Sequence, residues 1–233
     1  MSTTEKRFLL IGNAAESILS FRGELLRAVQ KTGAAVHIAG PDLTLGNPFR
    51  QQMEAQGFTV HSVPLARTGT NPLADIRSLL ALWRLMRSLR PDFVLGYTIK
   101  PVIYGSLAAW LARVPRRFAL IPGLGYSFLG DGHRRRLQGL VQKLYGAALA
   151  RVQGVFFQNP DDAVLFKERG ILPASVPACV VNGSGVDVAH FAVAPLPAHE
   201  NGMHFLLIGR LLGDKGVREY AAAAQIVKAQ YPS

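Results

Sequence analysis

Residues 208–220, IGRLLGDKGVREY, carry the sharpest chemical pattern in the chain. A strand is predicted to end at Gly209, Arg210 follows at its carboxyl edge, and Lys215 with Gly216 opens a helix. Two cations and the free N–H groups of a helix N-terminus would then line one crevice, where the helix dipole adds positive character. A diphosphate suits that crevice through charge and directed donors. A solvated basic loop is the plainer alternative.

Other polar residues gather where loops are expected. GNAAESILSFRGE places Gly12 and Asn13 at a strand end, with Ser17 and Ser20 near a helix start. Ser17 alone reads better as a helix cap, and Arg22 as an exposed residue of that helix. In YTIKP, Thr98 and Lys100 can donate hydrogen bonds. IPGLGYSFLGDG holds Gly123, Gly125, Gly130 and Gly132, which permit a sharp turn or close backbone approach to a ligand. Their spacing is not that of a dinucleotide fingerprint. Asn159 stands in FQNPDD. The histidines at 37, 61, 133, 190, 199 and 204 show no metal-ligand spacing, and His37 and His61 read as core or edge residues of strands. No Gly-x-Ser-x-Gly elbow is present.

These residues need a scaffold, and hydrophobic periodicity supplies one. FLLIG, AVHIAG, FTVHSV, DFVLGY, RRFALI, GVFFQ and ACVVN are short apolar runs, predicted as strands. Between them helices are predicted over 17–31 (apolar at Ile18, Phe21, Leu25 and Val29), 49–56, 73–90, 103–113, 134–152 and 161–169. In the third, Ile76, Leu79, Leu80, Trp83, Met86 and Leu89 form the predicted buried stripe. The alternation implies an α/β fold, a Rossmann-like parallel sheet with helices on both faces. Ligands in such sheets bind beyond the carboxyl ends of the strands. The loops after Gly12, Tyr97, Ile121 and Gln158 are therefore the expected cleft. Residues 1–182 form the first domain. Residues 183–202, glycine- and proline-bearing without helical period, read as an interdomain crossing. HFLLIG and a helix over 217–230 then begin a second domain, over 203–233, too small to bury a core alone.

Composition narrows the function classes. Of 233 residues, 49% are hydrophobic and 18% charged, which suits a globular core. The single cysteine, Cys179, excludes a disulfide framework and reads as a buried, inert thiol in SVPACVV. The first strand follows a short polar segment with no signal-peptide core. The longest apolar stretch, Pro101–Ala112, is too short for a bilayer span, so a soluble chain is expected. A net charge of +11 favours phosphorylated substrates, anionic headgroups or nucleic acid. Arginines at 77, 84, 87, 113, 116, 117 and 134–136 could form a lipid-docking surface, or simply a solvated one. Nucleic acid is not expected, because no zinc finger, helix-turn-helix or RNA-binding aromatic motif appears.

GRLLGDKG resembles the phosphate-binding stretch that opens the second domain of glycosyltransferase family 4, which has the GT-B fold. NGSGVDVAHF resembles the interdomain segment of that family. YTIKPVIYGSLAA, IPGLGYSF and FQNPDD are similar to stretches of its subgroup that builds bacterial O-antigen, capsule and lipid-linked oligosaccharides. The resemblance spans nearly the whole chain, in order. It implies a retaining transferase moving a sugar from a nucleotide donor, expected to be a UDP-sugar, to a lipid-linked or polysaccharide acceptor. No metal and no cofactor beyond the co-substrate are implied. Arg210 and Lys215 would be the catalytic residues, neutralising the donor diphosphate as charge develops on the leaving group. Gly209 and Gly216 would complete the donor site. Gly12, Asn13, Ser17, Thr98, Lys100, Gly123, Gly125 and Asn159 would line the acceptor cleft.

There are two departures. Many members carry a histidine after the fourth strand, where Gly96-Tyr97-Thr98 stands here, so Thr98 and Lys100 are assigned positioning only. The acidic motif of the family's second domain does not occur before Ser233. The chain alone is therefore expected to be incomplete and weakly active, and a non-catalytic membrane- or partner-docking module is the alternative. A GT-B epimerase or phosphorylase-like protein is the runner-up among enzymes. The expected place is the cytoplasm, with peripheral attachment at the inner face of the membrane.

Overall fold

The computed structural model describes residues 5–66, 71–124, 135–195, 204–209, 211 and 213–231. β1 (Arg7–Ile11) is RFLLI, and its last four residues are buried. Burial on both faces requires helices above and below, so this run becomes a central strand. It pairs in parallel with β2 (Ala35–Gly40) and β4 (Phe93–Tyr97), with Ile11 opposite Ala39 on one side and Gly96 on the other. β3 (Thr59–Ser62) pairs with β2. β5 (Arg116–Ile121), β6 (Gly154–Phe157) and β7 (Ala178–Val180) continue outward from β4. The order is β3-β2-β1-β4-β5-β6-β7, parallel throughout.

α1 (Ala15–Lys31) and α2 (Pro48–Ala55) cover one face, where Phe8 and Leu10 pack with Ile18, Leu26 and Met53. α3 (Pro72–Leu89) and α4 (Ser106–Leu111) cover the other, against Leu9 and Ile11. α5 (Arg135–Leu149) and α6 (Pro160–Glu168) extend that second layer over Ile121 and Phe157. Helices on both faces follow from right-handed crossovers: the chain winds one way from β1 to β3, then restarts at β4 on the other side of β1. The predicted fold is therefore observed. Its topological switch point lies between the carboxyl ends of β1 and β4.

The same two residues start three of the helices. Asn47-Pro48, Asn71-Pro72 and Asn159-Pro160 each place an asparagine at the N-cap and a proline in the first turn. Each asparagine Oδ1 accepts a backbone N–H from that turn. The proline sets φ where no N–H partner is lost, and such caps contribute about 1 kcal/mol each.

Several expectations are corrected. α3 buries Ser78, Leu82 and Met86, while Ile76 and Leu80 are exposed. The apolar residues on α3 outnumber what one face can cover, and the buried face includes Ser78, whose hydroxyl is satisfied there by the carbonyls of Ala74 and Pro64. The helix predicted over 103–113 begins as a π-turn, Pro101–Gly105, before α4. Cys179 is exposed, because β7 is the edge strand and all its residues face solvent. His204–Ile208, predicted as a strand, pairs with no strand among the described residues. Extended backbone becomes a strand only beside another.

Two compact units divide between Val186 and Asp187, within the predicted crossing. In the second, a 3-10 turn (Gly213–Lys215) leads into α7 (Val217–Gln230), and Phe205, Leu206, Ile208 and Ile226 are exposed. Outside glycine, Asp42, Arg90, Thr98 and Arg113 adopt left-handed backbone, a conformation that costs about 1 kcal/mol for a residue with a Cβ.

Candidate functional site

The chain leaves β1 through Gly12, whose N–H donates to Ala39 O at 3.0 Å. A Cβ there would lie 2.8 Å from the Tyr97 hydroxyl and 2.7 Å from Ile18, so only glycine fits. Ala14 is the N-cap of α1 and offers no side-chain acceptor to the first turn. Ser17 therefore does not cap the helix. It lies inside α1, and its hydroxyl shares a 2.9 Å hydrogen bond with the Tyr97 hydroxyl at the end of β4. Ser17 and Tyr97 thus tie the first turn of α1 to the end of β4 at the switch point. Burial pushes the Tyr97 phenol above its ordinary range, against the opposing effects of the Ser17 bond and the Arg22 charge.

Arg22, expected on the surface, is buried. α1 inserts Ile18, Arg22 and Leu26, spaced four apart; of the predicted stripe, Ile18 is buried and Val29 packs on the core, while Phe21 and Leu25 are exposed. The Arg22 guanidinium sits 4.9 Å from the Tyr97 ring centre. Its Nη1 donates to Phe21 O at 3.1 Å and to Ser184 Oγ at 2.8 Å. Ser184 also accepts from Gln158 Nε2 at 3.2 Å. The Nε of Arg22 is buried without an acceptor. Burial lowers the Arg22 pKa, and the Tyr97 phenol partly offsets that. No carboxylate pairs with this cation among the described residues.

Thr98 follows with φ +69°, and its Oγ1 is buried without a partner. Its carbonyl accepts from Val102 N at 3.0 Å, starting the π-turn. That turn presses against β4 so closely that a Cβ on Gly96 would lie 2.6 Å from Pro101 O. Lys100 is engaged: its Nζ binds Asp75 Oδ1 at 2.7 Å, with side chains 13% and 14% exposed. Burial, and Asp75 beside it, push the Tyr104 phenol well above its ordinary range. Asn159, at the end of β6, caps α6 and donates to Asp162 Oδ1 at 3.2 Å. Asp162 is buried, and its pKa rises through desolvation and then the neighbouring Asp161.

The structure therefore brings Gly12, Ser17 and Tyr97 into direct contact, with Thr98 next in chain, and Asn13 on the same loop is half-buried. Gly123 and Asn159 stand at the carboxyl ends of β5 and β6, on the same sheet edge. Gly125 lies outside the described residues, as do Gly130, Gly132, His133 and His199. In the second unit Lys215 ends the 3-10 turn and Gly216, at φ +71°, is the N-cap of α7. Gly209 is exposed, and a Cβ on it would be 4.0 Å from that of Lys215. Arg210 lies outside the described residues. No cluster that could hold a metal occurs among the described residues.

Sequence reasoning missed a hollow of about 550 Å³ beyond the carboxyl ends of β2 and β3, lined by Asp42, Thr44, Ser62, Leu65 and Arg77 among others. The signal was GPDLT directly after β2, where a strand stops at a turn and Asp42 takes left-handed backbone. Arg22 and Tyr97 were also missed as partners. The clue was the Ile18, Arg22, Leu26 spacing.

A doubly wound parallel sheet with its polar contacts at the switch point defines a domain built to hold a ligand across its carboxyl edge. Residues 21–183 match the family described as glycosyl transferase 4-like domain, and the chain belongs to that family. It is 24% identical over 234 residues to the N,N'-diacetylbacillosaminyl-diphospho-undecaprenol alpha-1,3-N-acetylgalactosaminyltransferase of Campylobacter jejuni, covering 95% of this chain and 61% of that one. It is 27% identical over 176 residues to the UDP-Gal:alpha-D-GlcNAc-diphosphoundecaprenol alpha-1,3-galactosyltransferase of Escherichia coli, covering 71% and 44%. The Acinetobacter baumannii MurG crystal structure superposes with a TM-score of 0.54 at 16% identity, over 94% of this chain and 54% of that one. This last likeness concerns the fold. The chain spans less than two thirds of the length of each of these relatives.

Proposed function

We propose that this chain is the acceptor-side domain, with the opening of the donor-side domain, of a retaining glycosyltransferase. It would move a sugar from a UDP-sugar to an undecaprenyl-diphosphate-linked saccharide in cell-surface polysaccharide biosynthesis. The observation that carries this is the family match across the switch-point crevice, joined to two relatives whose names both state a diphospho-undecaprenol acceptor and an alpha-1,3 transfer. In the reaction an acceptor hydroxyl oxygen bonds to the anomeric carbon, and the bond from that carbon to the diphosphate oxygen breaks. The hydroxyl proton leaves with the nucleoside diphosphate or to solvent. Negative charge grows on the leaving diphosphate, and Arg210, Lys215 and the N-terminus of α7 are the groups of this chain suited to meet it.

The first unit would hold the acceptor. Its crevice offers hydroxyls, amides and backbone, the donors and acceptors a sugar needs, and its cations Arg22 and Lys100 already have protein partners. No helix among the described residues is long and apolar enough to cross a membrane. The names of both relatives state a diphospho-undecaprenol, a lipid, so the acceptor would be met at a membrane surface, on the cytoplasmic side.

The test is transfer from UDP-N-acetylhexosamines and UDP-galactose to undecaprenyl-diphosphate-linked mono- and disaccharides. It would be run on this chain and on one extended by a complete second domain, with and without chelator. Product with retained anomeric configuration from the extended chain, indifferent to chelator, supports the proposal. Failure of the extended chain on every donor and acceptor pair overturns it.

A further inference from the structure

Opposite the candidate site, at the amino edge of the sheet, α3 and α4 end side by side. Between them lies a hollow of about 300 Å³, lined by Met86, Arg87, Arg90, Asp92, Arg113 and Val114 among others. Arg90 is the residue that caps α3 and Arg113 the second residue beyond α4, and both hold left-handed backbone, with φ of 50° and 60°. Glycine is the residue that such helix ends favour. Here two arginines occupy the positions instead, and both line the same hollow.

We infer that this hollow is a binding site for a small polyphosphate anion, held by Arg87, Arg90 and Arg113. None of the three pairs with a carboxylate among the described residues. The carboxylate in the hollow, Asp92, is already engaged, accepting from Arg7 N at 2.9 Å and from Lys6 Nζ at 3.1 Å. Cations at helix ends commonly serve the dipole, but carbonyls at and near these ends also have other cationic partners. The Arg7 guanidinium donates to Leu89 O at 2.7 Å, at the end of α3. The Arg117 guanidinium donates to Val114 O, just past α4. Arg87 stands in the last turn of α3, Arg90 and Arg113 lie beyond the ends of α3 and α4, and all three line one concavity. Planar guanidiniums converging on a pocket match phosphate oxygens in pairs. The hollow is of a size for a diphosphate or a nucleoside diphosphate. A membrane is the weaker fit: strands of five residues are about 17 Å long, so docking by this edge would hold the opposite crevice away from a lipid-linked acceptor.

The experiment is calorimetric titration of the chain with inorganic pyrophosphate. It is repeated on Arg90→Gly/Arg113→Gly, on Arg87→Gln, and on a chain carrying Arg210→Ala and Lys215→Ala. The double glycine variant removes both charges and the backbone strain together, so it should melt within a few degrees of the parent. Saturable binding that weakens at least about tenfold in that variant, less in Arg87→Gln, and survives in Arg210→Ala/Lys215→Ala, is the expected result. No binding by the parent, or binding unchanged by Arg90→Gly/Arg113→Gly, overturns the inference. So does retention on phosphatidylglycerol vesicles that depends on Arg90 and Arg113 while pyrophosphate does not bind, since the ligand would then be the membrane. Loss of pyrophosphate binding only in Arg210→Ala/Lys215→Ala also overturns it, and leaves the proposed donor loop standing.

Discussion

The two edges of the sheet treat positive charge in opposite ways. Around the switch point at the carboxyl edge, Arg22 and Lys100 point inward and bind the protein's own side chains, Arg22 to Ser184 and Lys100 to Asp75. At the amino edge Arg87, Arg90 and Arg113 are exposed and pair with no carboxylate among the described residues. A guanidinium already bonded within the fold shapes a crevice but brings little new charge to a ligand. The switch point of the first unit is therefore a polar surface whose cations are already bonded.

The largest expected effect tests how tightly the carboxyl edge is built. Gly96→Ala would place a methyl 2.6 Å from the carbonyl oxygen of Pro101, which belongs to packed backbone. Overpacking of this kind costs about 1–3 kcal/mol, and backbone gives less than a side chain does. Urea unfolding should show a loss near the upper end of that range. Gly123→Ala, where a Cβ meets nothing within 4 Å, should unfold like the parent. Equal behaviour of the two variants would mean that the crevice is looser than the contact implies.

Much of this fold was legible in the sequence. Every strand of the sheet except β1, which starts one residue early at Arg7, lies within a predicted apolar run, because parallel strands are short and largely apolar; α7 also matches its predicted span. What escaped was which face of a helix turns inward. α1 and α3 are apolar on more than one side, and periodicity alone cannot choose between neighbouring stripes. Partners distant in sequence make the choice: Tyr97 and Ser184 draw Arg22 in, and Pro64 draws Ser78. The site was legible to the same degree. Glycines and loop positions followed from strand ends, so Gly12 and Thr98 fall at the switch point. The engagement of Lys100 by Asp75 was invisible, since those residues lie on separate helical segments and meet only in the folded packing.

A middle-sized effect would sharpen the contrast between inward and outward cations. Replacing a buried charge by an apolar residue of similar volume is often neutral or stabilising, because desolvation offsets much of what the charge gains. Arg22→Met should therefore change the unfolding free energy by less than about 1 kcal/mol, while Ser184 and Tyr97 lose their partner. If the crevice holds the acceptor, the apparent KM for acceptor should rise in the extended chain while the donor KM stays unchanged. A collapse in stability would instead make Arg22 a structural cation. A shift in both KM values would place it nearer to the donor than the switch-point geometry implies.

Between the edges, the sheet excludes positive charge, and this gives the smallest effect. His37 Nδ1 and His61 Nε2 share a 3.1 Å hydrogen bond between β2 and β3, so one ring donates and the other must accept. Burial lowers both pKa values first. Arg7 adds to this at His37, where Glu5 opposes it, and His37 and Arg50 add to it at His61. Groups held below their ordinary pKa resist protonation in the folded state, so the unfolded chain takes up protons first as acid is added. Their contribution is present above the unfolded histidine pKa of about 6.5 and is lost as pH falls from there through the folded values. Unfolding free energies at about pH 8 and about pH 5 should fall less steeply in His61→Gln than in the parent. The difference isolates the pair, because other titrating groups are common to both proteins. A parent slope no steeper than the variant's would show that the interior accepts this proton freely, and the contrast between a charge-excluding sheet and its charged edges would then fail at its centre.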